Sequence, residues 1–171
     1  MDEIVNRVAQ SALMVFDLED YYPKQVKSSV DIAQWLEEGF LLKEKDFREA
    51  LKNYDWTQYH EHLCAVYCST DAILPAWAPI LVSSHLASEA YWVVLGSPET
   101  LDDHYYQYIL EQLDYSSYAD KPVILKGCSK KPVPESAYVA AIQKLQKVAK
   151  SIMYGEACSA VPLFKKSTTK L

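Results

Sequence analysis

Three short apolar runs, separated by stretches of helical length, restrict what this chain can fold into more than any other feature. Leu63-Cys-Ala-Val-Tyr-Cys68 is almost wholly apolar and suits a strand buried on both faces. A helical stretch from Pro75 to Leu86 follows, and Tyr91-Trp-Val-Val-Leu95 reads as a second strand closed by Gly96. Ser97-Pro98-Glu99 offers a capping hydroxyl, a proline in the first turn and an acid, which together start a helix expected to reach Leu113. Pro122-Val-Ile-Leu-Lys126 is a third strand, again followed by glycine. The last helix opens at Pro134-Glu135; Tyr138, Ile142, Leu145, Ala149 and Ile152 repeat at three and four, with Lys144, Lys147 and Lys150 facing away. Strand and helix in alternation are the grammar of a parallel sheet with right-handed crossovers. The expected class is therefore α/β, with a parallel or mostly parallel central sheet and helices on both faces.

The first sixty residues are less regular, and a mixed α/β part is expected over 1–60. Ala12 to Leu18 reads as a strand, Asp31 as an N-cap for a helix over Ile32–Glu38 ended by Gly39, and Asp46 as the opening of Phe47–Asn53. The βαβαβα unit spans 62–152, and 153–171 is a C-terminal segment. At 171 residues all of this fits one domain over 1–171. No apolar run approaches the length of a membrane span. The amino terminus is acidic before it is basic and carries no apolar stretch ending in a cleavage site, so the expected address is the cytoplasm.

The net charge of −6 conceals an asymmetry. Residues 1–120 hold 7 basic and 21 acidic side chains, whereas 121–171 hold 10 lysines against Glu135 and Glu156. Such a basic third is expected to fold against the acidic remainder, or against a second copy of the chain in a homodimer. A local positive field that attracts an anion or lowers a thiol pKa is the sharper reading. Nucleic acid is disfavoured as a partner, because the overall field repels phosphates.

In a parallel sheet, ligands bind beyond the carboxyl ends of the strands. Cys68 ends the first of the three runs and Cys128 follows the third, so both are expected at that edge. Cys158 lies after the last helix, in Tyr154-Gly-Glu-Ala-Cys-Ser159. Each of these three cysteines precedes a serine and has a glycine or proline nearby. Lys126, Lys130 and Lys131 flank Cys128, and Lys165 and Lys166 follow Cys158; cations favour the thiolate that ligates metal or attacks an electrophile. Asp71 opposes this at Cys68, and Cys64 reads as core. Against a site stands the habit of free cysteine to pack as a small hydrophobe. No Cys-x-x-Cys pair exists, so zinc-ribbon and thioredoxin signals are missing. Three cysteines would need a fourth ligand from Asp71, Glu156 or His85, or an open position.

His60-Glu61-His62 puts two imidazoles on one strand face, a weak metal signal by itself. His85 and His104 read as packing or surface residues. Tyr105, Tyr106, Tyr108, Tyr115 and Tyr118 read as an amphipathic face or partner surface, since few cations interleave with them. Neither a Gly-rich phosphate loop nor a Gly-x-Ser-x-Gly elbow appears.

Met1-Asp-Glu-Ile-Val-Asn-Arg7, Phe16-Asp-Leu18, Lys45-Asp-Phe-Arg48, Cys68 through Trp77, Lys126-Gly-Cys128, Pro132 through Tyr138 and Ser151 through Leu163 carry a resemblance to a known family. Over nearly its whole length the chain resembles an uncharacterised bacterial family known as domain of unknown function twenty-four-eighty. Cys68, Cys128 and Cys158 line up with that family, whereas Cys64, His60 and His62 are peculiar to this chain. The family has no established activity. Its members often lie beside genes for iron–sulfur cluster assembly, so the resemblance implies sulfur handling and iron–sulfur assembly proteins as partners.

Three functions follow as expectations. The first is a non-hydrolytic accessory protein in which Cys68, Cys128 and Cys158 converge to hold zinc or an iron–sulfur cluster, or relay sulfur. The second is a thiol enzyme in which Cys128 attacks a small anionic substrate, with Glu156 or Tyr154 assisting. The third is a scaffold that docks a partner through its charge asymmetry.

Overall fold

The computed structural model describes residues 13–127, 130–156 and 159–167. Its strands are β1 (Met14–Asp17), β2 (Lys27–Asp31), β3 (Leu63–Tyr67), β4 (Trp92–Leu95), β5 (Pro122–Lys126), β6 (Ser151–Tyr154) and β7 (Val161–Lys165). Its α-helices are α1 (Glu44–Asn53), α2 (Trp77–Leu86), α3 (Leu101–Gln112) and α4 (Glu135–Leu145). The fold is α/β, with strands and helices interleaved, and among the described strands the pairing is parallel except between β6 and β7.

Instead of one central sheet there are two, ordered β1-β5-β6-β7 and β2-β3-β4. The chain accordingly gathers into two compact units, Lys24–His104 and the segments before and after it. The expected alternation over 62–152 is present, yet β3 and β4 pair with each other while β5 pairs with β1 and β6. Partner choice among apolar strands is a long-range decision, and local periodicity does not encode it.

In the Lys24–His104 unit, β3 is the central strand, which is why Leu63, Cys64, Ala65 and Val66 are all fully buried. The core joins Val30, Ile32, Cys64 and Val66 to Phe47 and Leu51 of α1 and to Val82 and Leu86 of α2. Phe47 and Leu51 sit one turn apart on the inner face of α1, whose first turn carries Glu44 and Asp46 and whose last turn carries Lys52, complementing the helix dipole. This helix starts two residues before Asp46. The helix expected over Ile32–Glu38 is only a 3-10 turn, Ile32–Trp35, capped by Asp31. It stops early because Glu38 and Gly39 take left-handed backbone angles and turn the chain, Glu37 bridging to Leu41.

In the other unit, Phe16, Leu18, Val123, Leu125 and Ile152 pack with Tyr106 and Leu110 of α3 and with Ala137, Ala141 and Leu145 of α4. The alanines let α4 approach the sheet closely, so its buried face runs through residues 137, 141 and 145. Tyr138 and Ile142, expected on that face, lie on its half-buried flank. The helix also ends before Ile152, which belongs to β6 and pairs with Val123. A spacing of three from Ala149 imitates the helical period there. The tyrosines are largely packing groups: Tyr106 is fully buried, its hydroxyl donating to the Leu18 carbonyl at 3.0 Å, and Tyr115 and Tyr118 lean on Phe16. No described helix is long and apolar enough to cross a membrane.

Candidate functional site

The carboxyl ends of β1, β5 and β6 stand side by side, with Asp17 in register with Lys126 and Leu125 with Tyr154. From this edge the chain runs into Leu18–Tyr22, into Gly127 and on to Lys130–Lys131, and into Gly155–Glu156. Cys128 and Cys158 lie outside the described residues. Along the chain they follow the last residues of β5 and β6, and these two strands are hydrogen-bonded neighbours.

Polar side chains knit the edge together. Asp17 takes the Glu19 N–H on one carboxylate oxygen at 3.0 Å and faces Lys126 Nζ with the other at 3.1 Å. Lys126 Nζ is also 3.9 Å from Glu156 Oε1, so one ammonium links the ends of three parallel strands. The hydrogen bond and charge of Asp17, with Glu156 adding to it, hold the Lys126 ammonium above the ordinary lysine range. Glu19 is 9% exposed; its Oε1 accepts the Lys130 N–H at 2.7 Å, and its own carbonyl accepts from Lys131 Nζ at 3.3 Å. Lys131 Nζ also lies 5.5 Å from the centre of the Tyr22 ring. Further along the basic third, Lys144 pairs with Glu111 and Lys166 with Asp120. Lys126, Lys144 and Lys166 of the basic third are therefore paired with acids of the same unit.

Two glycines shape this edge. A Cβ on Gly127 would fall 2.9 Å from the Tyr138 hydroxyl and 3.1 Å from Leu18 Cβ, so the backbone passes where no side chain fits. Gly155 adopts φ +111° and packs toward the Ser159 carbonyl, while the Ser159 N–H returns to the Glu156 carbonyl at 2.9 Å. Beside them opens a groove of about 310 Å³, floored by Leu125 and walled by Tyr138, Val139, Ile142, Tyr154 and Leu163, with Glu135 at its rim. Tyr138 and Tyr154 meet edge to face, ring centres 5.7 Å apart.

Cys68 belongs to the other unit, just past β3, and is half-buried. Its sulfur lies 3.4 Å from Thr70 Oγ1, and that hydroxyl donates to the Gly39 carbonyl at 2.6 Å. With the Thr70 proton committed, the thiol is the donor of the pair. The expectation that Cys68 and Cys128 share one sheet's edge thus meets β3 and β5 in different sheets. Of the suggested fourth ligands, Asp71 is exposed, His85 stacks on Trp56 at 5.2 Å, and Glu156 belongs to the Lys126 cluster. Among the described residues no three of His, Cys, Asp and Glu gather closely enough to hold a metal ion. Cys64 is fully buried, and burial pushes its thiol up to about 11, as expected of a core cysteine. His62 Nδ1 shares a hydrogen bond with Ser28 Oγ at 2.9 Å, and His60 pairs with Glu89 at 3.5 Å; both imidazoles have protein partners. His104 packs against Gly96.

Sequence reading missed Asp17 and Glu19. The available signal was an aspartate at each of two strand ends. Asp17 closes β1 and Asp31 closes β2, and each caps the 3-10 turn that follows.

No curated protein and no solved structure matches the chain. A family model described as a protein of unknown function (DUF2480) matches residues 2–166, and the chain belongs to that family.

Proposed function

We propose that this chain is an accessory protein with a cysteine-based site at the β1-β5-β6 edge, where Cys128 and Cys158 bind a soft metal ion or an iron–sulfur cluster, or carry sulfur. The observation that carries the reading is the parallel pairing of β5 with β6. Cys128 is two residues past Lys126 and Cys158 four past Tyr154. At about 3.5 Å per residue, each is tethered within about 7 and 14 Å of its strand end. Lys130 and Lys131 are the cations near Cys128 in the sequence that no acid side chain is shown to pair, and cations favour thiolates, the soft donors zinc and iron–sulfur chemistry selects. The sequence also named Cys68 as a ligand; it belongs to the Lys24–His104 unit, where its thiol is engaged with Thr70.

Metal and sulfide analysis of anaerobically purified wild type, C68S, C128S and C158S tests this. Loss of metal or colour in C128S and C158S is expected. Content unchanged in both ends the metal and cluster readings, and an unchanged C68S removes that residue alone.

A second reading, a thiol enzyme with Cys128 as nucleophile and Tyr154 or Glu156 assisting, draws support from the groove beside Tyr154. Because its walls are apolar, a small anionic substrate there needs an apolar body. Alkylation against pH separates the two readings: one fast thiol with a lowered pKa favours catalysis, and thiols that react only after chelation favour metal.

A further inference from the structure

We propose that the carboxyl-end rim of the β2-β3-β4 sheet is a docking surface for a basic amphipathic helix of a partner protein. The surface lies wholly in the Lys24–His104 unit and is independent of the cysteine reading above. Two loops reach this rim, residues 36–42 after β2 and residues 69–76 after β3, and the second runs into α2. Each loop is anchored around the residues it exposes. Leu36 and Leu42 pack on the core, as do Ala72 and Leu74. Between these anchors Phe40 is 61% exposed and Ile73 96%.

The turn carrying Phe40 is closed by two backbone hydrogen bonds between Glu37 and Leu41, at 2.9 and 3.0 Å, and is reversed by the left-handed Glu38 and Gly39. Thr70 Oγ1 donates to the Gly39 carbonyl and so joins the two loops. Apolar groups shown to water on so fixed a frame lose little freedom when a partner covers them. The first turn of α2 extends the surface. Ala78, Val82 and Leu86 form its buried side. A surface helix ordinarily turns charges outward, yet Trp77–Leu86 contains no Asp, Glu, Lys or Arg, and Ile80 is 67% exposed.

Charge selects the occupant. The Lys24–His104 unit holds 6 Lys and Arg against 13 Asp and Glu. Glu38 and Asp71, one in each loop, are exposed, and among the described residues no ion pair uses them. Apolar anchors flanked by unmatched carboxylates complement a helix that carries apolar residues along one stripe and Lys or Arg beside it. A second copy fits worse, because a two-fold contact sets the same acidic rim against itself.

The probe is a labelled helical peptide of about 18 residues, leucine at i, i+3, i+4 and i+7 and lysine elsewhere, titrated with the full chain and read by fluorescence anisotropy. Saturable binding with a Kd of about 1–100 µM is expected, weakened by about tenfold or more in the double variant Phe40→Ser/Ile73→Ser. E38K/D71K should weaken it by about fivefold or more. E61K/E89K makes the same change of charge at the amino end of β3, where the Glu61 N–H meets the Glu89 carbonyl, and should stay within about twofold of wild type. Should F40S/I73S fail to fold, the two charge reversals decide. The proposal is overturned by absence of saturable binding, by F40S/I73S binding like wild type, or by equal losses in the two charge reversals, since the peptide then senses net charge alone. A wild-type dimer in sedimentation that F40S/I73S dissolves also overturns it, because a second copy then occupies the rim.

Discussion

The Asp31 carboxylate accepts the Ser69 N–H at 3.0 Å, tying the end of β2 to the residue that follows Cys68 beyond β3. The same oxygen accepts the Ala33 N–H at 2.9 Å and so caps the turn Ile32–Trp35. Burial pulls the Asp31 pKa upward, but the hydrogen bonds from Ser69 and Ala33 outweigh it and hold it below the ordinary aspartate value.

Asp31→Ala should therefore cost about 1–2 kcal/mol of stability, the range for losing a capping carboxylate. Because the folded pKa is lowered, the contribution is fully present above the unfolded value of about 3.9 and fades as pH falls through the folded one. Urea unfolding of wild type and D31A at pH 7 and near pH 2 checks both statements. The gap should narrow in acid, and a gap that widens there contradicts the assignment.

Cys64 gives the opposite pH signature. Its thiol is raised by burial, so the unfolded chain loses this proton first, from about pH 8.5 upward. Over that interval the folded state binds more protons, and stability falls as pH climbs toward 11. Cys64→Val fills the same β3 position without a titrating group. Its stability should decline less steeply between pH 8.5 and 10.5 than wild type, by a slope of up to one proton. Equal slopes would show that Cys64 does not titrate with unfolding.

Tyr106→Phe probes the anchor under the candidate edge. The hydroxyl donates to the Leu18 carbonyl, the residue beside Glu19, and both partners are buried. Deleting it strands an acceptor in the core, at a cost of about 1–2 kcal/mol. Thermal or urea unfolding reads this directly, and a change under about 0.3 kcal/mol would mean the carbonyl is satisfied without Tyr106.

How much of this was legible in the sequence depends on the range of the interaction involved. β3, β4 and β5 stood out because an apolar run bounded by turn residues is a local signal. The division into two sheets did not, since β1 finds its partner β5 across most of the chain. Ile152 was misread because three residues separate it from Ala149, a helical interval that a buried strand also meets by chance. At the candidate edge, the glycines and the lysines around Cys128 were visible as composition. Glu19 was not: its carboxylate meets a main-chain N–H, and any residue except proline presents one.

Gly127 joins the edge to the groove. A methyl group there would meet the Tyr138 hydroxyl at 2.9 Å and Leu18 Cβ at 3.1 Å, and neither residue is free to retreat. Leu18 is fully buried in the core, and the Tyr138 ring packs against Tyr154. Gly127→Ala should destabilise by about 1–3 kcal/mol through overpacking. Tyr138→Phe removes the nearest clashing atom but leaves the ring carbon behind it at 3.5 Å, an ordinary contact, and leaves Leu18 in place. The double variant G127A/Y138F should therefore recover part of the loss, with a coupling of about 0.5–1.5 kcal/mol in a double-mutant cycle. Strict additivity would show that the backbone moves to admit the methyl group and that Tyr138 does not press on Gly127. A measured coupling would show that the Tyr138 hydroxyl, on a groove-lining side chain, presses on the backbone at Gly127.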